Sequence, residues 1–169
     1  MPHGEVAIGV LGAAHVPSIV AILQANFRSE FRRFITDQQI EYMLANIYSP
    51  GALTQDMDGG EAFVGILHGD DLRGFASYRQ TPRPGELQMH RLYVNPRWHG
   101  AGYGGVLIEH VQEYARREGF TTLMLTVNKR NAPAIAVYQK RGFEITAATT
   151  IDIGQGFFMD DYVLTKPLA

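Results

Sequence analysis

Four of the six residues from Gly100 to Gly105 are glycine, in the stretch RWHGAGYGGVLIEH (97–110), and apolar residues then resume at helical spacing. Glycine weakens a helix interior by roughly 0.5–1 kcal/mol relative to alanine. A helix that opens this way is therefore constrained to bare backbone at its mouth. The first amides of a helix lack partners within it, and the helix dipole adds partial positive charge there. Without β-carbons, a phosphate can approach the main chain. The alternating run ELQMHRLYV (86–94) ahead of the glycines reads as a strand. Strand, glycine turn and helix start together predict an anion seat over HGAGYGG (99–105). The plainer alternative is that the glycines only permit tight packing of the helix on the strand.

Three ligand classes compete for such a seat. A P-loop requires Lys and then Ser or Thr after its last glycine, but Val106 follows Gly105. A dinucleotide fingerprint places its first glycine directly off the strand, with an acid about 20 residues on. Here five residues separate Val94 from Gly100, and the next strand ends in Asn128. The class left is a coenzyme with a diphosphate and a long thin arm, such as coenzyme A.

The 169 residues suffice for one domain with a real core, spanning 1–169. With 46% hydrophobic and 19% charged residues, the chain reads as globular rather than disordered. A net charge of −2 argues against a general nucleic-acid binder. There is no cysteine, which excludes disulfides, thiolate zinc sites and a cysteine nucleophile. The six histidines (3, 15, 68, 90, 99 and 110) show no paired metal-ligand spacing, so no metal is expected. No signal peptide or membrane-length apolar run is evident, and the default expectation is a soluble cytoplasmic protein.

Periodicity predicts a strand over 5–11, a helix over 15–34 with Phe27, Phe31 and Phe34 on one face, and a helix over 37–48 capped by Asp37. SPGALTQDMDGG (49–60) is a short helix or a loop. Strands follow over 61–67 and 72–79 around the turn HGDD, and again over 86–94. The glycine-led helix runs to about Glu118, and TTLMLTV (121–127) reads as a strand buried on both faces. A helix over 131–142, capped by Asn131 and closed by Gly142, precedes two final strands. This order predicts an α/β domain around a mixed sheet.

The segments LYVNPRWHGAGYGG (92–105) and NKRNAPAIAVYQKRGF (128–143) together resemble the GNAT superfamily of acetyl-CoA-dependent N-acetyltransferases. The family's phosphate loop, Gln/Arg-Gly-x-Gly-x-Gly/Ala, is matched by His99-Gly100-Ala101-Gly102-Tyr103-Gly104, with His99 departing from the usual first residue. The downstream motif is matched by Asn131, Ala134, Tyr138, Lys140, Gly142 and Phe143. The resemblance is strongest over 86–165 and rests on element order alone over 1–60. It implies a GNAT fold, with a mixed, mostly antiparallel sheet of about seven strands and four helices on both faces. It also implies acetyl-CoA as co-substrate, an amine acceptor, and the homodimers common in the family.

As carried over from the family, the coenzyme would meet Leu92, Tyr93 and Val94, the loop from His99 through Gly100, Ala101, Gly102, Tyr103 and Gly104 to Gly105, and Asn131 and Tyr138. Direct transfer agrees with the missing cysteine. The amine must lose a proton to attack, and the strand with the alternating Glu86, Gln88, His90, Leu92 and Val94 offers His90 and Glu86 as candidate bases. Backbone near Leu92–Val94 would steady the oxyanion, and Tyr138 stands where the family has its general acid. Each also has a bland reading: a strand-end Glu, a structural His, a core Tyr. The rival function is a GNAT-like domain that binds acyl-CoA as a sensor or scaffold without turnover. NFRSEFRRF (26–34) reads as core Phe with solvated Arg in preference to a membrane helix, MDD (159–161) as an amine contact or strand-edge solvation, and Trp98 as packing under the loop.

Overall fold

The computed structural model describes residues 5–168. In chain order the elements are β1 (Ala7–Val10), α1 (Val16–Ser29), α2 (Asp37–Asn46), α3 (Pro50–Asp58), β2 (Ala62–His68), β3 (Asp71–Gln80), β4 (Glu86–Val94), α4 (Tyr103–Arg117), β5 (Thr122–Asn128), α5 (Ala132–Lys140), β6 (Glu144–Gly154) and β7 (Phe157–Pro167). The seven strands form one sheet in the order β1-β2-β3-β4-β5-β7-β6. The β1–β2, β2–β3, β5–β7 and β6–β7 pairs are antiparallel, whereas β4 and β5 are parallel. A parallel pair needs a crossover, and α4 supplies it.

The fold carries five α-helices rather than the expected four, because the ambiguous 49–60 segment is helical. Ser49 caps α3, its Oγ accepting from the Ala52 amide at 3.2 Å, and Pro50 occupies the first turn, where its missing N–H costs nothing. The cap of α2 is Thr36 and not Asp37: extended backbone at Thr36 lets its Oγ1 accept from the Gln39 amide at 3.1 Å. Asp37 then falls in the positive first turn and pairs with Arg32 at 2.9 Å.

By contact density the chain divides into two compact units, one of residues up to Arg79 with Arg91–Val111, the other of Gln80–His90 with Gln112 onward. In the first, α1 stops at Ser29, short of the expected Phe34, and Phe31–Arg33 form a 3-10 turn. The phenylalanines still meet: Phe27 lies 4.4 Å from Phe31, and Phe31 5.1 Å from Phe34, between ring centroids. Phe27 is fully buried and also touches Tyr48 and Tyr93. Arg28, Arg32 and Arg33 stay outside, each beside an acid, as expected of solvated arginines. Arg91 is the buried exception, held by Glu61 at 2.6 Å and Asp56 at 2.7 Å.

In the second unit, Leu123, Leu125 and Val127 are buried, while Thr122, Met124 and Asn128 are half-buried and Thr126 is exposed. The expectation of a strand buried on both faces is therefore corrected. One face of the strand packs into the core while the other is left partly open to solvent, which gives the alternation. Phe143 and Leu164 complete this core.

The Phe27 cluster generates a direct test. Phe27→Ala is expected to lower stability by about 3–5 kcal/mol, measured as an earlier urea midpoint at unchanged slope.

Candidate functional site

The end of β4 is held by one carbonyl. Val94 O accepts from Asn26 Nδ2 at 2.9 Å and lies 3.0 Å from His99 Nε2. A carbonyl can only accept, so this second bond requires the His99 tautomer with its proton on Nε2. Asn26 is itself buried in α1 and also donates to Ile22 O at 2.9 Å. The chain then makes a tight 3-10 turn, Pro96–Trp98, closed by Asn95, whose side chain accepts from the Arg97 amide at 3.1 Å.

The glycine loop follows. Gly100 (φ +85°) and Gly102 (φ +86°) occupy the left-handed region that glycine enters at no steric cost. A β-carbon at either position would meet nothing within 4 Å. Conformation and open space, rather than crowding by the protein, account for these two glycines. Packing against the strand is not their reason. A cavity of about 350 Å³ lies over the loop, lined by Val94, His99, Gly100, Gly102 and Gly104 together with Trp98 and Tyr103. The helix bond from Val106 N–H to Gly102 O, 3.2 Å, marks where α4 becomes self-satisfied. The amides of its first residues, Tyr103, Gly104 and Gly105, precede that bond and have no acceptor within the helix.

Other expected residues of this unit are placed differently. Ala101 is exposed, with its amide given to Trp98 O at 3.2 Å. The half-buried Tyr93 ring packs against the aromatic core, 5.7 Å from Phe75. Leu92 is half-buried on β4.

Glu86, His90, Asn131 and Tyr138 belong to the second unit. Glu86 is buried at the start of β4, where it accepts from Thr81 Oγ1 at 2.8 Å and so braces the 81–86 turn. His90 is half-buried midway along the same strand. Asn131 caps α5 through a 3.4 Å bond from the Ala134 amide. Tyr138 sits seven residues on, edge-on to Phe143 at 5.8 Å, and burial pushes its phenol up to about 12.

Sequence reasoning left two acids at 160–161 undivided, and the structure separates them. Asp160 is exposed and paired with Lys129 at 2.7 Å and Thr150 at 3.1 Å, which hold its carboxyl below the usual range. Asp161, paired in register with Asn128 and Thr149, is only 5% exposed. Burial, and then the charge of Asp160, push it up to about 6 against the opposing pull of Lys129. The sequence reading also missed Asn26 and Arg73. The latter's guanidinium lies 3.9 Å from the Trp98 ring centroid and donates to Tyr103 Oη at 2.8 Å.

A strand, a positive-φ glycine turn and a helix mouth surround one cavity, an arrangement with the donor chemistry for an anion. Residues 17–143 match the acetyltransferase (GNAT) family. The chain belongs to this family. The match takes in the N-terminal helices, where the motifs were weakest, and ends at Phe143. This GNAT chain is 37% identical over 93 residues to streptothricin acetyltransferase of Streptomyces lavendulae, covering 55% of this chain and 49% of that one. It thus matches about half the length of that relative. It is 31% identical to an uncharacterized N-acetyltransferase of Mycobacterium bovis, over 89% of this chain and 82% of that one. The PaiA N-acetyltransferase of Thermoplasma acidophilum, solved in complex with coenzyme A, shares the fold with a TM-score of 0.81 at 17% identity, over 96% of this chain and 99% of that one. Among the described residues, no helix is long and apolar enough to cross a membrane.

Asp161 carries a pH signature. A carboxyl raised above its unfolded value of about 3.9 costs the fold nothing while both states are protonated. It weakens the fold increasingly as pH rises through 6. Asp161→Asn should therefore raise stability by about 1–2 kcal/mol above pH 6, discounted for partial solvent screening. Thermal melts should show the gain at pH 8 and none at pH 3.

Proposed function

We propose that this chain, acting as a single N-acetyltransferase domain over 1–169, moves acetyl from acetyl-CoA directly to a primary amine of a small molecule, peptide or protein. The observation that carries this reading is the open cavity over Gly100, Gly102 and Gly104 at the mouth of α4. It has the donor chemistry for a diphosphate and lacks the Lys-Ser/Thr pair of a nucleotide hydrolase. The coenzyme A bound by the PaiA enzyme supports the same ligand, and the acetyltransferase names of the relatives support the same reaction.

The chemistry makes three demands. A free alkylamine resembles lysine, with a pKa of about 10.4, so a base or a water chain must accept its proton. His90 and Glu86 remain candidates. Asp161 joins them, because a carboxyl near 6 titrates close to the working pH and no hydrogen bond or ion pair holds it among the described residues. Attack of the amine nitrogen on the thioester carbon then gives a tetrahedral oxyanion. The amides of Leu92, Tyr93 and Val94 are the proposed donors to it; the Val94 carbonyl is already committed to Asn26 and His99. Collapse breaks the C–S bond and releases the coenzyme's thiolate.

Tyr138 is the proposed partner of that thiolate. A phenol near 12 stays protonated through the neutral range. Against a thiol near 8.5, complete proton transfer is uphill by about 5 kcal/mol. Tyr138 is therefore better fitted to donate a hydrogen bond to the growing sulfur charge than to surrender its proton, which solvent or the product ammonium can provide.

Thiol release from acetyl-CoA with a panel of amines tests the activity. Coenzyme A should raise the melting temperature where NAD and ATP do not. Tyr138→Phe should cut kcat at least tenfold while the coenzyme's Kd stays within about twofold; unchanged turnover would exclude the phenol's role. Gly102→Val should weaken coenzyme A binding at least tenfold, because its side chain must enter both a left-handed conformation and the diphosphate's space. Isothermal titration reads that loss.

A further inference from the structure

Arg73 on β3 touches both ends of the glycine loop. Its guanidinium stacks on Trp98, the last residue of the 3-10 turn before the loop, at 3.9 Å. Its Nη1 donates to the hydroxyl of Tyr103, the first residue of α4 after the loop, at 2.8 Å. The Trp98 and Tyr103 rings themselves meet edge-on at 6.4 Å. Asp71 steadies the third edge of the guanidinium through Nε at 3.4 Å, and the Arg73 side chain is only 14% exposed. The main chain of Arg73 is fixed as well, its carbonyl accepting from the Asn95 amide at 2.8 Å.

Between Trp98 and Tyr103 lie only His99, Gly100, Ala101 and Gly102. The two glycines give this span large backbone freedom, which a ligand would otherwise have to freeze. Both clasped rings line the cavity that the loop forms. We infer that Arg73 is a positioning residue for the diphosphate of the coenzyme: it clasps Trp98 and Tyr103 and so holds the glycine loop in its ligand-ready shape before binding. The inference rests on the acetyl-CoA reading for its ligand, and on the contacts of Arg73 with Trp98 and Tyr103 for its geometry. A planar guanidinium can stack and donate at once; an ammonium cannot do both in this arrangement.

Titration of coenzyme A into wild type, Arg73→Met, Arg73→Lys and Tyr103→Phe tests the clasp. Arg73→Met should raise Kd about tenfold and Tyr103→Phe about threefold. Arg73→Lys should behave like Arg73→Met; recovery of wild-type affinity by lysine would show that charge alone matters and would overturn the clasp. With acetyl-CoA as donor, KM should rise while kcat stays within about twofold. With acetyl-pantetheine, which has the thioester arm but no diphosphate, kcat/KM should be equal in wild type and the two Arg73 variants. An equal loss with that donor would reveal general damage instead. Hydrogen exchange of the Gly100–Gly104 amides in the ligand-free proteins should be at least fivefold faster in Arg73→Met, and unchanged exchange would refute the inference. Wild type failing to bind coenzyme A would defeat the acetyltransferase reading, while the exchange rates would still decide the clasp.

Discussion

The carbonyl of Val94 ties three parts of the first unit together. Asn26 reaches it from α1 across 68 residues of sequence, and His99 reaches it from five residues downstream. A buried amide such as that of Asn26 is costly unless bonded, so its donors leave α1 little choice of position. The same carbonyl ends β4 and starts the turn into the glycine loop. Where the loop can sit therefore depends on how this one acceptor is shared.

Around that anchor the protein separates rigid from open backbone. Aromatic rings close the core behind β4, with Tyr93 among Phe27, Phe31, Tyr48 and Phe75. In the loop, Gly100 and Gly102 have no neighbour within 4 Å of where a β-carbon would stand. An anion seat needs both properties: donors fixed in advance, so that binding orders little, and space that no side chain already fills. Electrostatics in the second unit follow a related division: the adjacent carboxyls at 160 and 161 shift in opposite directions, Asp160 downward through its bonds to Lys129 and Thr150, Asp161 upward through burial.

Much of the molecule was legible along the chain. Alternation located the strands, and 86–94 was recovered to the residue. The glycine pattern located the open turn at the mouth of α4, because left-handed φ and helix-mouth amides are local properties that local residues must satisfy. The helix over 131–142 was readable for the same reason, since its cap and stop lie within a few residues of each other. Less was legible where a competing local partner lay next door. Thr36 displaced Asp37 as a cap through its extended backbone, and α1 yielded to a 3-10 turn before Phe34. Strand β5 looked doubly buried by composition, but burial depends on what lies over each face.

By itself the sequence determined the α/β order, the bare-backbone turn at the start of α4 and the absence of any cysteine route to an acyl-enzyme. These depend on residue type and short spacing. Only the tertiary structure decided that Asp161 is buried while Asp160 is not, and that Arg73 meets both ends of the loop. Each of those outcomes is a contact or a loss of solvent between segments distant in the chain, and periodicity within one segment carries no record of what another segment brings to it.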